Sequence, residues 1–119
     1  MSYQKYKSRQ TIVDGIKFQS KLEAERFQQL KFLLKADEIA DLKLQPEFQI
    51  FEGYVDPLTG EKHKSRYYVG DFQYVDVRNH QTIIEDTKGI ETDVFKLKWE
   101  MVQEKYPEYV FRKMTRKDV

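Results

Sequence analysis

The chain has 119 residues and a formal net charge of +1, with 21 Lys and Arg against 20 Asp and Glu. This length suits one domain with a single modest hydrophobic core. Cysteine is absent, which excludes a disulfide framework and a Cys-based zinc site. No apolar run approaches membrane-spanning length, and the polar N-terminus does not read as a signal peptide, so we expect a soluble cytoplasmic protein. Because the net charge is small, nucleic-acid binding would have to come from local basic patches.

The N-terminal part of the chain predicts a basic arm followed by a short hairpin. Residues 1–10 are polar and basic, and we interpret them as an arm. Residues 11–18 predict a hairpin, because Asp14 and Gly15 suit a type I′ turn. The alternative for this segment is an irregular lead-in to the helix that follows.

A first helix is predicted over residues 21–36. Ser20 and Glu23 have the spacing of a capping box. Glu23 also begins a stripe that continues through Phe27, Leu30 and Leu34 at helical spacing. Two roles therefore remain open for Glu23: it caps the backbone of its own helix, or it presents a carboxylate to the sheet that the stripe covers.

The next segment predicts a strand and an exposed turn. Leu42, Leu44, Phe48 and Ile50 fall at even spacing, which gives a strand one apolar face. Pro46 interrupts that pattern and indicates an edge strand, a bulge or a new strand start. Residues 56–60 predict a turn, and residues 61–65 an exposed loop that carries Lys62, His63 and Lys64. This loop either contacts DNA or is a solvated hairpin tip, and the second interpretation is favoured.

Two strands joined by a polar turn form the centre of the prediction. Residues 67–77 are rich in aromatic and β-branched residues, and residues 83–89 open with two isoleucines. A turn centred on Asn79 and His80 would pair Val75 with Ile84, Gln73 with Asp86 and Asp71 with Lys88. Because side chains alternate along a strand, one face would then carry Asp71, Asp86 and Lys88 together.

The spacing of Asp86 and Lys88 allows two interpretations. A carboxylate and an ammonium on one face can hold a metal ion beside a phosphate, or they can form an ordinary ion pair at a sheet edge. Glu85 points to the opposite face. Its replacement by alanine is therefore expected to spare any chemistry at Asp86, apart from a cost in stability.

The C-terminal part of the chain predicts a helix and a last strand. Thr92 or Asp93 begins a helix that reaches about Tyr106 and is stopped by Pro107. Its apolar stripe is formed by Phe95, Trp99, Val102 and Tyr106 and is typical of a core-facing helix. Residues 109–114 predict a strand, and residues 115–119 a basic tail.

Two lysines of the second helix are candidates for DNA contact. Lys96 and Lys98 lie in its first turns, close to the end of the strand with Asp86. They belong either to a solvated face or to a phosphate clamp, and DNA binding through them and the basic termini would be salt-sensitive. The complete order of helix, three strands, helix and strand predicts a mixed α/β sheet with helices on its faces.

Three motifs carry a resemblance to a known superfamily. They are Ser20-Lys21-x-Glu23-Ala24, Gly70-Asp71-Phe72 and Glu85-Asp86-x-Lys88-Gly89. In this order, within residues 5–114, they resemble the PD-(D/E)XK nuclease superfamily, and more narrowly a family of small phage and prophage proteins, historically of unknown function, assigned to it. The resemblance implies a restriction-endonuclease-like αβββαβ core. Gly70 stands where the first motif has a proline, a departure that is common in this superfamily.

The resemblance implies a role for each motif residue. Asp71 is the acid of the first motif, Asp86 and Lys88 form the second, and Glu23 matches a glutamate that many members add on the helix. Such carboxylates suit Mg²⁺, with Mn²⁺ as a substitute, and the carbonyl of Thr87 would be a further ligand. Lys88 would stabilise the phosphate or orient the attacking water.

We therefore expect a Mg²⁺-dependent DNA endonuclease or resolvase. It would act on double-stranded or branched DNA in phage recombination, replication or packaging, inside the bacterial host cell, either as a monomer or as a homodimer. The alternative is a non-catalytic DNA-binding or assembly module that keeps the nuclease fold. A third interpretation, a structural protein with coincidental ion pairs, is disfavoured because three motifs occur in the expected order. His63 and His80 lie on predicted loops, and no catalytic role is expected of them.

Overall fold

The computed structural model describes residues 10–119, so all but one residue of the predicted N-terminal arm lies outside the described part of the chain. The elements in chain order are β1 (Thr11–Val13), β2 (Ile16–Phe18), α1 (Lys21–Lys35), β3 (Ile39–Leu44), β4 (Glu47–Phe51), β5 (Tyr54–Val55), β6 (Lys62–His63), β7 (Arg66–Val69), β8 (Phe72–Asp76), β9 (Gln81–Thr87), α2 (Asp93–Lys105) and β10 (Val110–Met114). Between residues 10 and 119, neither helix has the length and apolar character needed to cross a membrane.

A four-stranded mixed sheet organises the fold. Its strand order is β10-β9-β8-β3. Strands β3, β8 and β9 are antiparallel, and β10 runs parallel to β9 after the crossover through α2. The order α1, β3, β8, β9, α2, β10 is interrupted only by β4 to β7, and it confirms the predicted mixed α/β class.

Both long strands predicted from the sequence are broken in two. Gln45 adopts a left-handed backbone (φ 51°), and β4 begins just after Pro46, so the new-strand interpretation of this proline is confirmed. The second break falls at Gly70, between β7 and β8. The strands on either side of each break belong to different sheets: β3 and β8 join the main sheet, whereas β4 and β7 pair with each other.

Gly70 permits a close crossing of the two layers. Its amide donates a hydrogen bond to the carbonyl of Pro46 at 2.9 Å. A Cβ at this position would lie 2.9 Å from Cγ2 of Ile84, closer than side chains normally approach. Proline at this position would lack the amide donor. The hydrogen bond therefore excludes proline, and the contact with Ile84 favours glycine over residues with a Cβ.

The predicted register of the β8–β9 hairpin is wrong by two residues. Asp76 pairs with Gln81 and Gln73 with Ile84, which leaves residues 77–80 as the turn. The turn starts early because Oδ1 of Asp76 accepts the amide of Arg78 at 3.0 Å, a local bond that favours aspartate at turn starts. A shift of two residues keeps every side chain on its predicted face, whereas a shift of one would have exchanged the faces.

The helix α1 and the β1–β2 hairpin cover one face of the main sheet. The residues packed between them and the sheet are Phe18, Ala24, Phe27, Leu30, Ile39, Phe72, Tyr74 and Ile83. The predicted stripe is confirmed at Phe27 and Leu30. It is wrong at Leu34, which is 36% exposed in the last turns of the helix.

The helix α2 and the β4–β7 pair cover the other face. Their shared core consists of Phe48, Ile50, Tyr68, Ile84, Phe95, Trp99 and Val102. Trp99 packs its indole against the rings of Phe95 and Tyr68, with centroid distances of 5.5 and 5.8 Å. The predicted α2 stripe is confirmed, although Tyr106 is only partly buried. The side chains on the two faces of β9 therefore pack in two separate cores, one under α1 and one under α2.

Candidate functional site

The predicted site residues meet where β9 ends and β8 begins. Asp71 lies one position before β8, and its amide donates to the carbonyl of Glu85 at 2.9 Å. Its Oδ2 accepts hydrogen bonds from the amide and the hydroxyl of Thr87, at 2.6 and 2.7 Å. In sequence register Asp71 thus lies opposite Asp86, not Lys88. Because Asp71 precedes the ladder, its carboxylate reaches Thr87, whose side chain was expected on the other face.

Asp86 is the most deeply buried of these acids, at 2% exposure. Its Oδ2 accepts a hydrogen bond from the hydroxyl of Tyr68 at 2.5 Å. Its Oδ1 lies 3.2 Å from Nζ of Lys88, yet it has no hydrogen-bond partner among the described residues. Sequence reasoning missed Tyr68, since it sits in an aromatic strand with no pattern that singles it out.

Lys88 follows β9 directly and is held from two sides. Its amide donates to the carbonyl of Met114 on β10 at 2.9 Å. Its ammonium lies beside Asp86 and 4.5 Å from the ring centroid of Phe95, a favourable cation–π distance. The side chain keeps 29% exposure. One lysine therefore connects the buried acid with solvent.

Glu23 approaches the same place from the first turn of α1. Its amide donates to Oγ of Ser20 at 3.1 Å, which confirms the predicted cap. The side chain is 7% exposed, and burial followed by repulsion from Asp71 raises the pKa of Glu23 to about 7. A backbone hydrogen bond with Gln19 and the charge of Lys88 act in the opposite direction. Ser20 therefore caps the helix, whereas the carboxyl of Glu23 has its backbone hydrogen bond with Gln19 and lies close enough to Asp71 to be repelled by it.

We call Glu23, Asp71, Asp86 and Lys88 the acid pocket. Burial, and then repulsion from Asp71, raise the pKa of Asp86 to about 6, against the hydrogen bond from Tyr68 and the charge of Lys88. Burial also raises the pKa of Asp71, against the hydrogen bonds from Thr87. Three carboxylates thus share one lysine, which leaves an excess of negative charge when all are ionised. Such an arrangement favours the uptake of protons or of a cation.

The acid pocket opens on two sides. A cavity of about 110 Å³ is lined by Glu23 and Asp71, together with residues of β2 and of the break after β3. A wider pocket of about 540 Å³ is lined by Lys88, Gly89, Ser20 and Lys21. Small molecules or ions can therefore reach Glu23 and Asp71 through the first cavity and Lys88 through the second, whereas Asp86 lines neither.

The donor set of the acid pocket fits a hard cation in its chemistry. All three acids offer oxygen, and the buried Oδ1 of Asp86 is contacted only by the ammonium of Lys88, at 3.2 Å. As the side chains lie, however, residues 10–119 contain no group of three or more His, Cys, Asp or Glu side chains placed to hold a metal ion. Since Mg²⁺ is usually bound by one or two carboxylates with water and substrate phosphate, the pocket suits a metal that arrives with its substrate.

The family of the chain follows from sequence comparison. A family model described as "Protein of unknown function (DUF1064)" matches residues 3–117. The chain belongs to the DUF1064 family. Comparison with curated proteins and with solved structures gives no match. Membership in this family therefore indicates no activity, and any function of this DUF1064 protein has to be inferred from the contacts of its residues.

Glu85 lies on the opposite face of β9 from Asp86, as predicted, but its substitution would not be harmless to the fold. It is fully buried, and its two carboxylate oxygens accept hydrogen bonds from Nε and Nη2 of Arg26 at 2.7 and 2.6 Å. The hydroxyl of Tyr74 donates to the same carboxylate. Replacement of Glu85 by alanine would leave the largely buried guanidinium of Arg26 without its carboxylate, so the stability cost should be large. This variant is therefore a poor control for substitutions at Asp86.

The predicted DNA-contacting lysines of this DUF1064 protein lie apart from the acid pocket. Lys96 is exposed on α2, and Lys98 is half-buried beside an open groove. In the C-terminal tail Arg116 forms an exposed ion pair with Glu25 at 2.9 Å. His63 stacks on a tyrosine at the β5–β6 hairpin. The structure therefore brings together the four acid-pocket residues and leaves the candidate phosphate contacts on the surrounding surface.

Proposed function

We propose that this DUF1064 protein is a Mg²⁺-dependent DNA endonuclease that hydrolyses phosphodiester bonds. The observation that carries the proposal is the acid pocket, where two buried carboxylates, a third that is partly buried and a single lysine meet, and where burial and mutual repulsion raise the pKa of Glu23 and of Asp86. The DNA of a phage or its bacterial host is the substrate that the sequence resemblance suggests.

The arrangement of the elements supports membership in the PD-(D/E)XK superfamily. The order α1, β3, β8, β9, α2, β10 agrees with the αβββαβ core that the resemblance implies. The acids of the two sequence motifs, Asp71 and Asp86, fall on facing ends of neighbouring strands, and Glu23 approaches from α1. This agreement between motif order and spatial position is difficult to obtain by coincidence.

Asp71 and Asp86 would hold Mg²⁺, or Mn²⁺ in its place, with Glu23 and the carbonyl of Thr87 as additional ligands. When bound, Mg²⁺ lowers the pKa of its water and offsets negative charge on the phosphate. Its charge would also relieve the repulsion among the three acids, so the metal and the ionised carboxylates would stabilise each other.

Each remaining residue of the site has a task that its contacts explain. Tyr68 donates to Oδ2 of Asp86 and thereby leaves Oδ1 to the ammonium of Lys88, 3.2 Å away. Lys88, held over the ring of Phe95, presents its ammonium to a substrate phosphate and stabilises charge that develops there. Without a bound cation Glu23 has a pKa of about 7, so it would release its proton when the metal binds and would then add a negative charge to the ligand set.

The second candidate function is a non-catalytic DNA-binding or assembly module. One observation favours it: Oδ2 of Asp71 is already engaged by two donors of Thr87, and the described side chains form no group of three metal ligands. Such a module would bind DNA without cutting it. A cleavage assay separates the two functions directly.

The test measures metal-dependent nicking of supercoiled plasmid and of labelled duplex, flap and four-way-junction DNA. We expect Asp86→Asn to lower cleavage by about 10²-fold or more and to weaken Mg²⁺ binding. We expect Lys88→Ala to lower cleavage while metal binding, measured by calorimetry, stays intact or improves through loss of a neighbouring cation.

The matched control is Asp37→Asn. Asp37 is exposed and has a positive φ of 61°, a conformation that asparagine tolerates. The substitution makes the same acid-to-amide change outside the site, so cleavage should be unchanged. Cleavage at the parent rate by folded Asp86→Asn would refute the assignment, whereas DNA binding by the parent without cleavage of any substrate would favour the assembly module.

A further inference from the structure

We propose that the groove between α2 and the β4–β7 pair binds a single strand of DNA, so that the substrate of the acid pocket carries an unpaired strand, as a flap or a branch does. We call it the α2 groove. It encloses about 500 Å³, and the lining residues used here are Phe51, His63, Arg66, Val94, Leu97 and Lys98. The inference rests on the proposed function for its biological meaning, but the groove itself can be tested by binding alone.

Aromatic rings at one end of the groove form a stacking surface. His63 and Tyr54 are stacked at a centroid distance of 4.6 Å and an interplanar angle of 9°. Phe51 meets Tyr54 edge-on at 6.2 Å. Tyr54 is 51% exposed, so the cluster is open to solvent. Unpaired bases stack on such rings without regard to sequence, because every base has a flat π-face.

Cations line the groove beside these rings. Arg66 and Lys98 form no ion pair with any other residue in the described range. No acid lines the groove. The carboxylate of Glu61 lies 3.5 Å from Nε2 of His63, but Glu61 is not part of the groove lining. An anionic partner with flat apolar groups matches this combination of charge and aromatic surface.

Both walls of the groove lead toward the acid pocket. On α2, Val94 and Lys98 flank Phe95, whose ring lies 4.5 Å from Nζ of Lys88. On β7, Arg66 precedes by two residues Tyr68, whose hydroxyl donates to Asp86. The groove and the acid pocket therefore share the helix α2 and the strand β7.

A second copy of the chain is a poorer occupant, although Val94 and Leu97 are 63% and 60% exposed. In a two-fold symmetric dimer the same patch lies on both sides of the interface. The unpaired Arg66 and Lys98 would then face their own copies, and like charges would be desolvated together. Intact duplex is also disfavoured, because its bases are stacked on each other and only its phosphates would be recognised.

The experiment measures equilibrium filter binding of radiolabelled oligothymidine, and of a duplex of equal length, in EDTA. The parent should bind the single strand more tightly than the duplex. Arg66→Glu and Lys98→Glu should each weaken single-strand binding by about tenfold through lost phosphate contacts, and His63→Ala by a similar factor through lost stacking. All three side chains lie at the surface or half-buried, and thermal unfolding confirms that each variant is folded.

The matched control is Lys35→Glu, which makes the same charge change at the exposed end of α1. Oligothymidine binding should then change by less than about twofold. Because binding is measured in EDTA, where no metal-dependent cleavage can occur, the measurement separates this inference from catalysis. Preferential binding of duplex, or groove variants that bind oligothymidine like the parent, would overturn the groove assignment, and metal-dependent cleavage of duplex would then still support the proposed function. A parent dimer in sedimentation that Arg66→Glu dissociates would overturn it in favour of a second copy.

Discussion

Glu85 and Asp86 are neighbours on β9, and both are buried, but they face opposite sides of the sheet. Glu85 looks toward α1, where the guanidinium of Arg26 and the hydroxyl of Tyr74 satisfy its carboxylate. Asp86 looks toward α2, where it has one tyrosine donor and one lysine, and an oxygen without a hydrogen-bond partner. The same strand thus holds one acid in a complete set of contacts and the next in an incomplete one.

The difference shows how a structural acid can be told from a functional one. A buried carboxylate with a full set of partners contributes through those partners, and removal of either side leaves a buried charge. A buried carboxylate that shares a single lysine with other acids and is repelled by one of them costs stability unless something binds to it. On this basis Glu85 belongs to the scaffold and Asp86 to the site.

The largest expected effect comes from breaking the scaffold pair. Arg26→Met should lower the free energy of unfolding by about 3–5 kcal/mol, because Glu85 would remain buried without its cation. Urea denaturation measures this loss. Arg116→Met removes an arginine from an exposed ion pair and should cost less than about 1 kcal/mol. Equal losses for the two variants would remove the distinction between the buried pair and an ordinary surface pair.

The acid pocket should make the parent protein less stable as pH rises. The pKa of Glu23 is raised to about 7 and that of Asp86 to about 6, so between about pH 4 and pH 7 the folded state binds more protons than the unfolded state. This stabilisation is complete below the unfolded pKa values and is lost as pH rises through the folded ones. We expect a loss on the order of 4 kcal/mol between about pH 5 and pH 8, measured by urea denaturation. Saturating Mg²⁺ should reduce this slope, and stability that increases over the range would contradict the burial of uncompensated acids.

Asp86→Asn should stabilise the protein, in contrast to Arg26→Met. The substitution removes the charge that burial and Asp71 disfavour, so we expect a gain of about 1–2 kcal/mol near pH 8 that shrinks near pH 5, where the parent carboxylate is largely protonated. The free energy of unfolding at the two pH values checks this. Asp37→Asn should not change the free energy of unfolding at either pH. An Asp86→Asn variant that loses stability at both pH values would assign Asp86 to the scaffold.

The smallest effects come from the two tyrosines that serve these acids. Tyr74→Phe removes a donor to Glu85 and should cost about 1 kcal/mol with little dependence on pH, because Arg26 still holds the carboxylate. Tyr68→Phe removes the donor to Asp86, so it should cost about 1 kcal/mol near pH 8 and less near pH 5, where the carboxylate is protonated. Thermal unfolding of both variants at the two pH values measures the contrast. Identical pH profiles for the two variants would show that the environments of Glu85 and Asp86 differ less than their contacts indicate.

Local signals predicted the helices well. Ser20 and Thr92 accept the amides of Glu23 and Phe95, so both helix starts follow from cap residues that act within three positions. The coarse α/β class also follows, since each helix has one apolar face that needs a sheet. The predicted register of the β8–β9 hairpin was wrong by two residues because the hydrogen bond of Asp76 at the start of the turn lengthened the loop. The side chains still lie on their predicted faces because they alternate along a strand with a period of two.

Contacts between distant residues were beyond sequence reasoning. Arg26 reaches Glu85 across 59 positions, and Tyr68 reaches Asp86 across 18, and neither partner is marked by a local pattern. Pro46 indicated the break between β3 and β4, but nothing in the sequence indicated the positive φ of Gln45. The acids of the acid pocket were named from motifs, whereas their incomplete set of donors is visible only in three dimensions.

The packing of Trp99 has a practical consequence for following this site in solution. It is the only tryptophan of the chain, and its indole contacts Tyr68, which donates to Asp86, and Phe95, over which Lys88 lies. Both ends of the acid pocket are therefore one aromatic ring away from a single natural chromophore. Intrinsic emission in a stopped-flow instrument should report the arrival of a cation or a phosphate at this pocket in real time, with no dye attached and no background from a second indole.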